Sequence, residues 1–146
     1  GNMTGGLVAG SLCDRIPIGI LLITLPILSA LALFAATLSV GIWLLLSALV
    51  MVGFTYGAII AVYPIAVLNI VGTASSSRIY GRVFTAWVLA GLVGPWAAGV
   101  LFDQTGGYAM AMVIAGIASI LSALVAGILI QKAPVLTTTN PINSNQ

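Results

Sequence analysis

Side chains able to catalyse a reaction or bind a charge are scarce in this sequence of 146 residues. The charged residues and the single cysteine are few enough to name: Asp14, Arg15, Arg78, Arg82, Asp103, Lys132 and Cys13. Without histidine and with one cysteine, the usual zinc sites and an internal disulfide are not expected. No acid lies inside the long apolar stretches, which argues against hydrolytic, redox or proton-relay chemistry there. We therefore predict no enzyme, no metal site and no cofactor.

The remaining candidates for binding a ligand are aromatic side chains that carry a polar atom. Tyr56 and Tyr63 are seven residues apart and share one face of a helix, and Pro64 frees a backbone carbonyl near Ile60. Trp87 begins a stripe of small residues at helical spacing: Gly91, Gly94 and Ala98. One interpretation is that these aromatic residues border a substrate cavity. The other is close helix packing, with Trp87 as an anchor at the membrane interface.

The composition indicates that membrane helices must position these side chains. Hydrophobic residues make up 61% of the chain and charged residues 4%, whereas soluble domains carry about 25% charged residues. So few charges cannot cover a soluble domain, and four scattered cations form no basic patch for nucleic acid. We predict an all-α, polytopic helix bundle in the lipid bilayer, with no nucleic-acid partner.

Four stretches are long enough for a helix to cross a bilayer, which takes about 20 apolar residues. We predict spans at 17–36, 40–68, 83–102 and 109–130, with a tight reversal near residues 37–41. Small residues predict close packing on the second span at Gly53 and Gly57. On the fourth span they form a longer stripe: Ala111, Ala115, Ala118, Ser122 and Ala126. Residues 133–146 are polar and contain proline, and we predict a disordered tail.

The third predicted span is the least hydrophobic and contains several glycines as well as Pro95. Pro95 cannot donate a backbone hydrogen bond and clashes with the carbonyl of Gly91, so a bend is expected there. Gly91 and Gly94 leave room for a neighbouring helix. We therefore expect protein, not lipid, to surround this helix.

The positions of the cations predict the orientation. Arg15 precedes the first span, Arg78 and Arg82 lie between the second and third, and Lys132 follows the fourth. In a four-span topology these positions share one side of the membrane, and the loops on the other side have no cation. The positive-inside rule then makes the basic loops and the C-terminus cytoplasmic, in a multi-pass protein of the cell (inner) membrane.

A short motif before the first span suggests a family. The segment 10–15, GSLCDR, resembles the G-x-L-x-D-R-x-G-R-R signature of the major facilitator superfamily. Gly10, Leu12, Asp14 and Arg15 match, whereas residues 17–19, PIG, replace the second glycine and the basic pair. In lacking the basic pair, the segment is similar to the weaker copy of the signature in the second half of the fold. The resemblance implies that the spans are helices nine to twelve, with residues 1–12 ending helix eight. It also implies a conformational gate formed by Gly10, Asp14 and Arg15.

The last third of the chain resembles the oxalate/formate antiporters and their monocarboxylate-transporter relatives. The resemblance is carried by 78–87, RIYGRVFTAW, and by later residues: Ala90, Gly91, Gly94, Pro95, Gly99, Leu101, Asp103, Thr105, Gly106 and Tyr108. It implies that Trp87 and Tyr63 occupy aromatic cavity positions on helices eleven and ten. Carriers of dicarboxylates in that family use cations in helices eight and eleven. Ala90 stands where the oxalate carrier has a lysine, so a monocarboxylate is the better expectation.

The resemblance implies part of a secondary active transporter, an antiporter as in the oxalate/formate family, that moves a small organic anion by alternating access. The partner of the chain would be the missing N-terminal half. The start at Gly1, without a basic segment, predicts no signal peptide and a piece of a longer protein. Two alternatives stay open: a self-contained four-helix pore or export protein, and a scaffolding membrane subunit without transport activity. Eight further spans upstream in the reading frame would favour the transporter.

Overall fold

The chain folds into helices throughout the part that the structure describes. The structure is a computed structural model that describes residues 2–13, 15–39, 41–71 and 73–132. Within those ranges there is no strand, and the helices in chain order are α1 Asn2–Cys13, α2 Ile18–Thr37, α3 Ile42–Val71, α4 Thr73–Thr105 and α5 Ala109–Lys132. The predicted all-α class is confirmed.

Four of the described helices are long and apolar enough to cross a membrane, as the sequence predicted. Their candidate spans are Ile18–Thr37, Ile42–Asn69, Gly81–Thr105 and Ala109–Lys132. At 1.5 Å per residue, the 20 residues of α2 reach about 30 Å, which is the thickness of a bilayer core. The third span differs most from its prediction, because its apolar part extends at both ends, to Gly81 and Thr105. The predicted tail 133–146 lies outside the described residues.

Two short turns join the helices at the end of the bundle opposite the cations. After α2, the hydroxyls of Thr37 and Ser39 each donate to a carbonyl one turn earlier, at 2.7 Å. After α4, Gly106 adopts a left-handed φ of 71° and its N–H donates to the carbonyl of Phe102 at 2.8 Å. Such a cap favours glycine, because a side chain strains this conformation. These bonds help to satisfy the carbonyls at the helix ends, which have no partner further along the helix.

Glycine allows α1 to cross α3 at very short distance. A methyl group on Gly5 would collide with the backbone of Phe54, and one on Gly6 would come within 3.5 Å of the carbonyl oxygen of Gly57. Ala9 on α1 and Ala58 on α3 are buried. Small residues that let backbones approach are the usual basis of helix association in membranes. The GxxxG prediction on the second span therefore holds for Gly57, which is buried.

α2 joins the bundle by packing against both α3 and α5. Leu21 and Leu25 belong to the same buried cluster as Val62 of α3. On the other side, the ring of Phe34 lies over Gly116, where an added methyl would come within 2.9 Å of the ring. Gly116 and Ala123 are the buried residues of α5. These contacts make α2 the centre of the described bundle.

The packing face of α5 is not the stripe that the sequence suggested. The predicted stripe, Ala111 to Ala126, lies roughly 120° around the helix from Gly116 and Ala123. Ala115 and Ala118 on that stripe are exposed, whereas Gly116 and Ala123 are buried. Both stripes consist of small residues, so composition alone could not distinguish them. Within the described residues α5 packs through Gly116 and Ala123, and close packing through the predicted stripe stays a prediction.

α4 stands apart from the other helices. No residue of its most apolar window is buried. A methyl group on Gly91, Gly94 or Gly99 would meet nothing within 4 Å. The helix continues without interruption through Pro95. Within the described chain, then, no neighbour covers the glycine face, and the expected protein surroundings of this helix stay a prediction.

Candidate functional site

The three aromatic residues singled out from the sequence line one cavity. The cavity encloses about 340 Å³ between α3 and α4. Its lining residues are Tyr56, Ile59, Ile60, Tyr63, Val83, Phe84 and Trp87. The α3 residues recur at spacings of three, four and seven, which set them on one helix face. The α4 residues occupy a little more than one turn, directly after Arg82.

Phe84 holds the indole of Trp87 in the cavity wall. The two rings stack with centroids 5.1 Å apart and an interplanar angle of 29°. Residues three apart on a helix are neighbours on its surface, and α4 thereby presents a double aromatic surface to α3. Sequence reasoning missed Phe84 as a site residue, although its spacing from Trp87 was the signal that could have identified it.

The cavity is apolar with a few hydrogen-bond donors. Tyr56 and Trp87 remain 44% and 45% exposed, and Tyr63 is half-buried. Two phenolic hydroxyls and one indole N–H are the side-chain donors among the lining residues, and none of those residues is charged. Such an arrangement can bind an acceptor such as a carboxylate and shield it from water. It offers no acid, base or nucleophile suited to bond cleavage at neutral pH.

Ala90, where the oxalate carrier has a lysine, does not line the cavity. It follows Trp87 by three residues on α4 and is exposed. Alanine, unlike lysine, has no charge to offer an anion in the cavity. No described residue that lines the cavity supplies a positive charge.

Two of the three predicted gate residues, Gly10 and Arg15, are described by the structure and lie between the last turn of α1 and the start of α2. Gly10 is on the last turn of α1, and a methyl there would meet nothing within 4 Å. Arg15 follows α1 with an exposed side chain, and its backbone N–H donates to the carbonyl of Leu12 at 3.0 Å. Asp14 lies outside the described residues, so its pairing with Arg15 stays a prediction.

The predicted bend and packing residues lie away from the cavity. Gly91, Gly94 and Pro95 follow Trp87 by one to two turns of α4, towards the end that carries Thr105. None of them lines the aromatic cavity. The structure thus brings together the predicted cavity residues and leaves the glycine face free of contacts within the described chain.

Comparison with known proteins gives a family match over almost the whole chain. The family model of the Major Facilitator Superfamily matches residues 1–145. No solved structure is significantly similar to the chain. The family match includes α1 and all four candidate spans.

Several similar proteins are monocarboxylate transporters by name. Monocarboxylate transporter 12 of Rattus norvegicus is 37% identical over 75 residues, covering 51% of this chain and 15% of the rat protein. Monocarboxylate transporter 4 of Gallus gallus is 41% identical over 73 residues, covering 50% of this chain and 15% of the chicken protein. The matched part of this chain thus spans a small fraction of each relative.

Proposed function

The chain belongs to the Major Facilitator Superfamily, and from this premise we propose that it forms helices nine to twelve, with the end of helix eight, of a transporter for small organic anions. The observation that carries this proposal is the convergence of Tyr56, Tyr63 and Trp87 on one cavity. The cavity lies between α3 and α4, which are helices ten and eleven in this assignment. The similarity to monocarboxylate transporters supports the same substrate class.

The donors in the cavity suit a monocarboxylate. A carboxylate that leaves water must regain its hydrogen bonds, and the indole N–H and the two hydroxyls can supply some of them. Hydrogen bonds to a charged group contribute about 1.5–3 kcal/mol each. A single negative charge is compensated in this way more readily than two. We therefore propose a small organic anion with one carboxylate over oxalate, with further contacts supplied by the rest of the transporter.

Membership of the superfamily supports an alternating-access mechanism, in which the two halves of a transporter rock about a central site. Within the described residues, α1, α2, α3 and α5 contact one another through glycine and alanine, and α4 contributes one wall of the aromatic cavity. Movement of α4 would open or close the aromatic cavity, because Val83, Phe84 and Trp87 form one of its walls.

Substrate protection of an introduced cysteine tests the proposal. In the full-length transporter with Cys13→Ala, Trp87→Cys should react with a membrane-permeant thiol reagent, and a monocarboxylate should slow this reaction. Val88→Cys is the matched control, because Val88 is equally exposed but does not line the cavity. We expect lactate to protect the cysteine at 87 and not the one at 88, and oxalate to protect neither.

Two results would contradict the proposal. If no monocarboxylate slowed labelling at position 87 while the transporter remained active, the aromatic cavity would not be the substrate site. If the 146-residue chain alone made liposomes permeable to small solutes, the four-helix pore would be the better description.

A further inference from the structure

A second cavity lies among four of the described helices. It encloses about 480 Å³ and is lined by Leu22 of α2, Ala66 of α3 and Val83 of α4. On α5 its wall includes the small residues Ala118, Ser122 and Ala126, which belong to the stripe that does not pack against α2. These residues leave a groove along α5. We call it the α5 groove.

The lining of the α5 groove suits hydrocarbon. Nine of its eleven lining residues are apolar, and the other two are Tyr63 and Ser122. A charged solute would lose its hydration there with little in return. From Ala118 to Leu129 the groove follows α5 for about 16 Å at 1.5 Å per residue. That is roughly half of the bilayer core of about 30 Å, which is the depth of one leaflet.

Cations lie at one end of the α5 groove. Arg82 directly precedes the lining residue Val83, and Lys132 lies one turn beyond the lining residue Leu129. Both side chains are exposed. Because α4 and α5 are consecutive spanning helices, the start of one and the end of the other reach the same membrane surface.

We propose that the α5 groove binds an anionic phospholipid from the surrounding bilayer. One acyl chain lies along Ala118, Ser122 and Ala126, and the phosphate is bound by Arg82 and Lys132. Basic residues between membrane helices are a known means of binding anionic headgroups. The proposal does not depend on transport, but Tyr63 lines both cavities. A bound lipid therefore fills the space behind one wall of the aromatic cavity.

Lipid retention by the purified full-length protein tests the headgroup part of the proposal. Native mass spectrometry would compare retained phosphatidylglycerol and phosphatidylcholine of the same acyl chains. Removing one cation, by Arg82→Gln or Lys132→Gln, should weaken phosphatidylglycerol retention about fivefold. Gln131→Ala is the control, because it changes an exposed polar side chain next to Lys132 and removes no charge. Equal retention of both lipids, or equal effects of all three variants, would overturn the headgroup assignment.

A photoactivatable acyl chain tests the groove itself. We expect adducts on the peptide that contains Leu121, Val125 and Leu129, and loss of those adducts in Ala126→Phe. Ala115→Phe, the same change at an exposed position of α5 outside the groove, should keep them. Absence of adducts would mean that another helix of the protein or of a second copy fills the groove. The proposal would then be wrong, as it would be if both variants lost the adducts equally in correctly folded protein.

Discussion

The indole of Trp87 offers a bound anion both an apolar ring and one N–H donor. Replacing it by phenylalanine keeps a ring of similar character and removes the donor. In the full-length transporter, Trp87→Phe should raise KM for a monocarboxylate about tenfold, since a hydrogen bond to a charged group contributes about 1.5 kcal/mol. The maximal rate should change little. Uptake measured across a range of substrate concentrations would separate the two quantities.

Trp96 provides the matched control for this change. It lies on the same helix, is 69% exposed and does not line the aromatic cavity. Trp96→Phe should leave KM unaltered. If both substitutions changed KM equally, or neither did, Trp87 would serve as an interface anchor, and its position beside the cavity would have no role in binding.

Gly5 is the residue at which added volume should cost most. A methyl group there collides with the backbone of Phe54, which cannot rotate away as a side chain can. Gly5→Ala should lower stability by about 1–3 kcal/mol. The measurement is thermal unfolding of the purified protein in detergent, monitored by circular dichroism.

Gly10→Ala is the control on the same helix, because a methyl at Gly10 meets nothing within 4 Å. It should be neutral, or stabilising by up to about 1 kcal/mol, since alanine favours helix more than glycine does. Equal unfolding temperatures for the two variants would contradict the close crossing of α1 and α3.

The sequence predicted the residues that can bind a ligand better than it predicted the residues that pack against a neighbouring helix. Tyr56, Tyr63 and Trp87 could be chosen because few residues in the apolar stretches combine bulk with a hydrogen-bond donor. Gly5 could not be chosen, because a glycine carries no sign of which backbone it will meet. Phe84 was overlooked because it carries no polar atom, although its spacing of three residues from Trp87 on α4 allows the two rings to stack.

Among the helices, α4 has an uncovered glycine face, and a substitution at Gly94 tests whether lipid or protein covers it. If the face at Gly94 meets lipid, Gly94→Leu should be tolerated, or stabilising by about 1 kcal/mol from helix propensity. If it meets another part of the full-length transporter, the larger side chain should be destabilising. We expect the second outcome, measured as the yield of folded protein and the initial rate of uptake.

Leu92→Ala is the comparison for Gly94→Leu. Leu92 is 72% exposed and has the position expected of a residue facing lipid. We expect its truncation to be milder than the enlargement at Gly94. Equal tolerance of both changes would mean that lipid surrounds this part of α4.

The number of membrane-spanning helices was predictable from the sequence, but the faces through which the helices pack against one another were not. Four spans follow from the length of the apolar runs and from the single side on which the cations fall. α5, however, carries two stripes of small residues, and the one that packs on α2 contains Gly116 and Ala123. Which stripe meets a helix depends on where α2 lies, and hence on Phe34, a residue far away in the sequence.

For the whole molecule, the turn around Asp14 and Arg15 is the proposed gate. A carboxylate beside an arginine at a helix end can hold two helix ends together, and such a pair must break when the two halves of a transporter rock. Asp14→Asn should therefore slow transport up to about fivefold, the range of an exposed ion pair. Expression in the membrane should stay normal. Uptake normalised to surface protein is the measurement.

Asp103→Asn is the control for Asp14→Asn. It makes the same chemical change near the C-terminal end of α4, where the side chain is exposed. It should leave the transport rate unchanged. A wild-type rate in Asp14→Asn would refute the gate, and an equal loss in both variants would indicate a general effect of charge.

The length of α4 has a mechanical consequence. Its 33 residues form a rod of about 50 Å, and its apolar part begins only at Gly81, so about 12 Å of helix precedes the apolar part. A rod pivoting near Pro95 acts as a lever whose long arm ends at Thr73. A tilt of about 10° would swing that tip by about 6 Å, because about 33 Å of helix separates Thr73 from Pro95. Small displacements deep in the bilayer would thus be magnified at the aqueous surface.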